Sequence, residues 1–263
     1  NVEEYQEIYE GETLLTKEID TTSYQVMMLL EDGFWRIRHL KEIPTPADTA
    51  TIAPRNIKDK LKKIENIKGI VNAVKDHPAL LGWDIKNEPD LDFDSRGKQR
   101  VLSWLEQMIE NIKKWDKNHP VSIGWSSPEA AIELGDEVDF VSYHYYRDIE
   151  DFKKAHDTLK AAISDKPIVL QEYGMSSYKG AWNLYRGANE EGQRDYYKEI
   201  QPILKDNNIP YMFWTLYDFK KVPTSVAGSL PWKTKKQHYF GCLDTLGNKK
   251  PAYSELIIEK SFI

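Results

Sequence analysis

Between Asn56 and about residue 216 the chain alternates two apolar rhythms, and that alternation constrains its fold more than any other feature. Apolar residues three or four apart, as in Ile57, Leu61, Ile64, Ile67, Val71 and Val74, mark one face of a helix, with Asn56 placed to cap it. The run Ala79-Leu-Leu-Gly-Trp-Asp-Ile85 then reads as a short strand buried on both faces and stops at Lys86-Asn87-Glu88-Pro89. The pattern repeats. Val101, Leu105, Met108, Ile112 and Trp115 form a helical stripe, Val121–Trp125 a strand and Phe140–Tyr146 another. A helix over Ile149–Ile163, a strand at Pro167–Glu172, a helix around 190–206 and a strand at Ile209–Leu216 follow. Five strands separated by helices imply a parallel sheet, and right-handed crossovers leave a doubly wound sheet or a barrel. No Gly-x-Gly-x-x-Gly follows any of these strands, so a dinucleotide site loses its main support. Polar and aromatic residues gather instead where the strands end, which in a barrel is the face that carries chemistry.

Upstream the rhythm differs. Residues 22–30 and 34–40 read as antiparallel strands joined at Asp32-Gly33, a hairpin-turn signal. The stretch Ile43–Pro54, with prolines at 44, 46 and 54, reads as a linker, which divides the chain into a hairpin segment over 1–50 and an α/β domain over 51–263.

Composition narrows the function classes. A length of 263 residues with 40% hydrophobic and 30% charged residues suits one large globular domain and excludes disorder. The net charge of −6, with no basic cluster longer than Lys233–Lys236 in what reads as a solvated loop, argues against nucleic acid as a partner. Cys242 is the single cysteine, so neither an internal disulfide nor a cysteine zinc site can form. The six histidines show no ligand spacing, and His77 and His119 each precede a proline in a turn entering a strand, so no metal is expected. No apolar run is long enough to span a bilayer and residues 1–20 lack a signal-peptide core, so a soluble chain with no membrane partner is expected. The chain begins at Asn1 rather than Met, which leaves room for a removed address; the compartment stays open, with an extracellular one favoured.

Two carboxylates stand out. Glu88 and Glu172 each close a buried apolar strand, at Ile-Lys-Asn-Glu-Pro and Val-Leu-Gln-Glu-Tyr-Gly, so both should emerge on one rim. An isolated glutamate more often caps a helix or meets a surface lysine. Two at matched strand ends suit glycoside hydrolysis with retention, in which one carboxylate attacks the anomeric carbon and another protonates the leaving oxygen.

From Gly82 to Tyr253 the chain resembles the clan A glycoside hydrolases, which include cellulases, β-mannanases and β-galactosidases on a (β/α)8 barrel. The resemblance rests on Asn87-Glu88-Pro89, similar to the clan's fourth-strand acid/base motif, and on Glu172 in Glu-Tyr-Gly, similar to its seventh-strand nucleophile. It implies that Asn87 hydrogen-bonds the sugar 2-hydroxyl, that His144 and Tyr146 line the site with Tyr146 touching the nucleophile, and that Trp214 floors the sugar. Core packing is the competing reading for His144, Tyr146 and Trp214. Trp125, Asp84 and Lys86 are lesser candidates. The closing Phe240–Tyr253 resembles the clan's exit from its last strand, in a structural role.

The match departs from the clan at the start: three βα units of a TIM barrel find no counterpart, and neither does the arginine that helps hold the nucleophile. An incomplete barrel of about five strands follows, closed by the N-terminal segment, by a second copy or by another chain, or else belonging to a fragment; the hairpin could equally end a preceding β-domain. The leading functional expectation is a cofactor-free retaining hydrolase of β-linked glucosides, mannosides or galactosides. The alternatives are a catalytically weak sugar-binding remnant and a transglycosylase using the same residues.

Overall fold

The computed structural model describes residues 57–180, 188–223 and 231–256, together with four strands between residues 8 and 40. The expected linker at 43–54 lies outside these residues. Strands β1 (Ile8–Glu10) and β2 (Thr13–Thr16) form an antiparallel hairpin that the sequence reading did not anticipate. Strands β3 (Gln25–Glu31) and β4 (Phe34–Leu40) form the expected one, with Glu31 paired to Phe34; the expected turn at Asp32-Gly33 lies outside the described residues.

Helix α1 (Ile57–Val74) leads into the parallel sheet of β5 (Trp83–Asn87), β6 (Val121–Trp125), β7 (Val141–Tyr145) and β8 (Ile168–Tyr173), hydrogen-bonded in that order. The short α2 (Phe93–Arg96) and long α3 (Lys98–Trp115) connect β5 to β6, α4 (Ile149–Ala162) connects β7 to β8, and α5 (Glu190–Asp206) follows β8. The β6–β7 crossover has no α-helix among the described residues, only the 3-10 turn Ala130–Ile132. Strand β3 lies beside β5 in a separate sheet, with Cα atoms of the two strands within 8 Å.

The two faces of the sheet differ in chemistry. Strands β6 and β7 are buried throughout, yet their register (Asp84 with Ser122, Gly124 with Ser142) lines one face with Asp84, Ser122, Gly124, Ser142 and His144. The Ser122 and Ser142 hydroxyls meet at 2.9 Å, so these inward polar groups satisfy one another. The opposite face carries Trp83, Ile85, Val121, Ile123, Trp125, Val141, Tyr143 and Tyr145, all in the core. Helix α3 packs on that core through Val101, Leu105, Met108 and Ile112, spaced at three and four as its stripe requires, and Phe152 and Leu159 of α4 do the same. Burying residues of this size contributes roughly 1.5–3 kcal/mol each, which holds the strands in register.

Two expectations need correction. Ile209–Leu216 is not a regular strand. It runs parallel to β8 through three bonds, Leu170 N to Pro210 O (2.9 Å), Met212 N to Leu170 O (2.9 Å) and Trp214 N to Tyr173 O (2.8 Å), and then turns to the closing segment through Thr215 and Leu216. Pro210 has no N–H to donate, and the segment divides its bonds between two neighbours, so no continuous ladder forms. The stretch containing Lys233–Lys236 is helical (α6, Pro231–Gln237) rather than a loop; its exposed Lys235 and Lys236 lie in the last turn, where the helix dipole favours cations.

A buried ion pair joins the segments around this last extended stretch. The Lys250 ammonium lies 2.7 Å from both oxygens of Asp218 and 3.2 Å from the Ser177 hydroxyl, while Gly241 N–H donates to Asp218 at 2.8 Å. Lys250 and Asp218 are 6% and 9% exposed, so neither charge has water as a substitute partner. Lys250→Met should leave Asp218 as an unpaired buried acid and cost about 3–5 kcal/mol of stability. Urea unfolding followed by tryptophan fluorescence measures the loss.

Candidate active site

Strand β5 ends one residue before Glu88, whose backbone breaks the ladder. Glu88 has φ 43° and ψ 53°, a left-handed conformation that costs a non-glycine residue about 1–2 kcal/mol. Its N–H still donates to Gly124 O at 2.6 Å, and buried Pro89 then starts a 3-10 turn over Pro89–Asp92. The Asp90 carboxylate accepts from the Ser126 N–H at 3.0 Å and from the Ser126 hydroxyl, tying this turn to the end of β6. Three anchors thus hold a strained residue and direct its carboxylate over the sheet end.

Glu172 sits on β8 opposite His144 of β7, beside a bulge in the register between Tyr143 and His144. His144 has no solvent exposure. Its Nδ1 lies 3.0 Å from Glu88 Oε1 and 3.4 Å from Glu172 Oε2, and an oxygen of each carboxylate and the ring nitrogen all fall within 4.8 Å of one another. The Tyr146 hydroxyl donates to Glu172 Oε2 at 2.8 Å, and its ring meets Phe240 edge to face. The matched strand ends therefore do bring Glu88 and Glu172 together, and His144 and Tyr146 with them.

The electrostatics follow from burial among like charges. Burial pushes the Glu172 carboxyl above its ordinary range; the His144 charge and the Tyr146 hydroxyl oppose this, and the charges of Glu88 and Asp84 add to it. Burial alone would lower the His144 pKa, but Glu172, Glu88 and Asp84 together outweigh it and the net direction is upward. Among the described residues, Glu88, His144 and Glu172 are the donor group close enough to meet on one ion. The 3.0 Å contact between His144 Nδ1 and Glu88 is a hydrogen bond in which the ring nitrogen donates or accepts according to its tautomer.

The other expected residues divide. Asn87 is exposed at the end of β5, and Trp214 is half-buried with its backbone N–H on Tyr173 O and its ring 5.7 Å from Phe219. The peptide from Trp214 to Thr215 is cis. Lys86 turns to Asp92 at 3.4 Å, and Trp125 is 1% exposed against Phe93, a core residue of the helix-facing side. Asp84 lies beneath the cluster, where its carboxylate accepts from Gly124 N–H (3.0 Å), Lys86 N–H (3.1 Å) and the Gln171 amide (2.5 Å). Gln171, Gly124 and Asp90 were not anticipated. The signal for the first two was a carboxylate inside the apolar run Gly-Trp-Asp-Ile, which demands buried partners.

A family model described as glycosyl hydrolases family 2, TIM barrel domain, matches residues 33–210. The chain belongs to that family. It is an incomplete TIM barrel of the clan A type. This family 2 chain is 24% identical over 220 residues to mannan endo-1,4-beta-mannosidase 3 of Solanum lycopersicum, covering 70% of itself and 50% of that protein. It is 25% identical over 249 residues to a putative mannan endo-1,4-beta-mannosidase P of Arabidopsis thaliana, covering 79% and 52%. The chain thus spans about half the length of the curated relatives it matches. Its fold is similar to a GH2 beta-galacturonidase from Eisenbergiella tayi bound to galacturonate (TM-score 0.59, 24% identity, 76% of this chain and 36% of that one). It is also similar to a family 17 beta-1,3-glucanosyltransferase from Rhizomucor miehei (TM-score 0.54, 18% identity, 77% and 72%). No helix among the described residues is long and apolar enough to cross a membrane.

Because the Tyr146 hydroxyl stabilises the ionised form of Glu172, Tyr146→Phe should raise the Glu172 pKa, so that its carboxylate forms only at higher pH than in the parent chain. Carbon-13 NMR titration of labelled glutamate carboxyls reads the direction of that change.

Proposed function

We propose that this chain is a retaining β-glycosidase in which Glu172 is the nucleophile and Glu88 the general acid/base. The observation that carries the reading is the approach of the two carboxylates: oxygens of Glu88 and Glu172 within 4.8 Å of each other, at the same end of one parallel sheet. Retaining enzymes hold their carboxyl groups about 5–5.5 Å apart, whereas inverting enzymes need a wider gap to admit water between acid and base. Family membership supports the reaction class, and relatives named mannan endo-β-mannosidases favour β-linked hexopyranosides as substrates. β-Linked glucosides, mannosides and galactosides are the class to test.

In this mechanism Glu172 attacks the anomeric carbon as the glycosidic bond breaks, and Glu88 gives its proton to the departing oxygen. A covalent glycosyl-enzyme results. Glu88, now a carboxylate, takes a proton from water as that water attacks the same carbon and releases Glu172. The Tyr146 hydroxyl orients the attacking carboxylate and steadies its charge, a role that suits the 2.8 Å contact. In this reading Asn87, next to the acid in sequence, binds the sugar 2-hydroxyl and Trp214 lies under the ring, as the family resemblance implies. Closure of the sheet beyond β5 falls to the N-terminal hairpin or to a second chain, and β3 beside β5 favours the hairpin.

Proton NMR of the first-formed sugar should show the β anomer; an α product would overturn the assigned roles. Glu172→Ala should abolish hydrolysis, with azide restoring turnover by attacking the anomeric carbon in the vacated space. Glu88→Ala should slow poor leaving groups by about 10²–10⁴-fold while sparing aryl glycosides that need little protonation. Oligosaccharide binding without turnover of any aryl β-glycoside would instead favour the sugar-binding remnant.

A further inference from the structure

The proposed mechanism uses one side of the His144 ring and leaves the other unexplained. Nε2 is fully buried and has no hydrogen-bond partner, and neither has Gln171 Oε1. Both converge on one place, the space above Gly124. A methyl built there would lie 2.6 Å from Asp84 Oδ2, 2.6 Å from Gln171 Oε1 and 3.3 Å from His144 Nε2. Only glycine fits at 124, because a carboxylate, an amide oxygen and an imidazole nitrogen already crowd the place a Cβ would take beneath the carboxylate pair. Two of these are acceptors only, so the third is suited to be the donor.

We infer that Asp84 is a positioning residue: from beneath the ring it holds His144 doubly protonated, and the imidazolium in turn keeps Glu172 ionised beside Glu88. This deepens the proposed glycosidase reading and rests on it. The groups that face His144 are few. From β5 comes Asp84 and from the turn after it Glu88, from β8 Gln171 and Glu172, from β6 only the Gly124 backbone, and from just past its own strand Tyr146, which reaches it through Glu172. Three of these are acids and none is a cation. A neutral imidazole carries one ring proton and can donate on one side only, toward the rim glutamates or toward Asp84 and Gln171. A charged one donates on both, Nδ1–H toward the two rim glutamates and Nε2–H toward the Asp84 and Gln171 oxygens. Burial pushes the Asp84 carboxyl up, and three donors, the Gln171 amide, Gly124 N–H and Lys86 N–H, oppose that push and hold the group in place.

Asp84→Asn gives a test whose sign separates this role from a plain field effect. Asp84 acts on Glu172 directly as a like charge, so its removal with His144 still charged would let Glu172 ionise at lower pH. If Asp84 holds the imidazolium, its removal lets His144 lose a proton, and Glu172 then ionises at higher pH. We expect the acid limb of kcat/KM on an aryl β-glycoside to move to higher pH, with about a tenfold loss on that limb and less than about threefold on the plateau. Nitrogen-15 NMR of the parent chain should show both ring nitrogens of His144 protonated at neutral pH, and the Asn variant should show that proton lost at lower pH. Gln171→Leu, which frees Asp84, should move both readouts the same way and serves if Asp84→Asn does not fold. A neutral His144 in the parent chain, an unchanged His144 titration, or an acid limb moved to lower pH would overturn the inference. The His144 titration is read without any substrate, so failure of the glycosidase reading would be seen separately, as absence of turnover.

Discussion

Two acids close together and largely withdrawn from water cannot both be charged without compensation. At an effective dielectric near 20, unit charges 4.8 Å apart repel by about 3 kcal/mol. The imidazole of His144, inserted between Glu88 and Glu172 from the neighbouring strand, is what makes their proximity tolerable. The ring can do this only because β7 lies between the strands that carry the acids in the sheet order. A single register, Gly124 with Ser142 and His144 with Glu172, therefore sets both the fold and the charge balance of its rim. A slip of one residue would turn His144 into the helix layer and bring Tyr143 or Tyr145 to the acids.

The scaffold also explains why the site tolerates a left-handed residue. Glu88 is held by a backbone bond to β6, a buried proline and the Asp90–Ser126 contact, none of which depends on its carboxylate. Conformational cost is thus borne by packing around the turn, and the side chain stays available. Glu172, by contrast, lies within β8 and has a tyrosine and a histidine beside its carboxylate.

Much of this was legible in the residues because buried elements write simple rhythms. The α3 stripe and the Val121–Trp125 strand appear in the structure as the spacing predicts, and so does the antiparallel pairing of β3 with β4. The meeting of the two glutamates followed from strand ends alone. What was less legible is instructive. Val-Ser-Ile-Gly-Trp reads as one apolar run, yet its alternate residues line a polar interior, and only the pairing with β5 and β7 reveals that Gly124 makes room for Asp84 and Gln171. Trp125 looked like a rim residue because it ends a strand, but its parity sends it toward Phe93. The extended stretch after α5 has the composition of a strand, and no local rule announces that Pro210 and a second neighbour will divide its bonds.

The Lys250–Asp218 pair has a bearing on how such a chain can diversify. It pins together the stretch after β8, the stretch after Trp214 and the closing segment. Connections that leave and return between these pins can lengthen, shorten or change composition with little entropic penalty, since closing a longer loop costs only slowly more. The outer connections and the pinned frame are thereby separable heritable traits: drift in the first leaves the second in place.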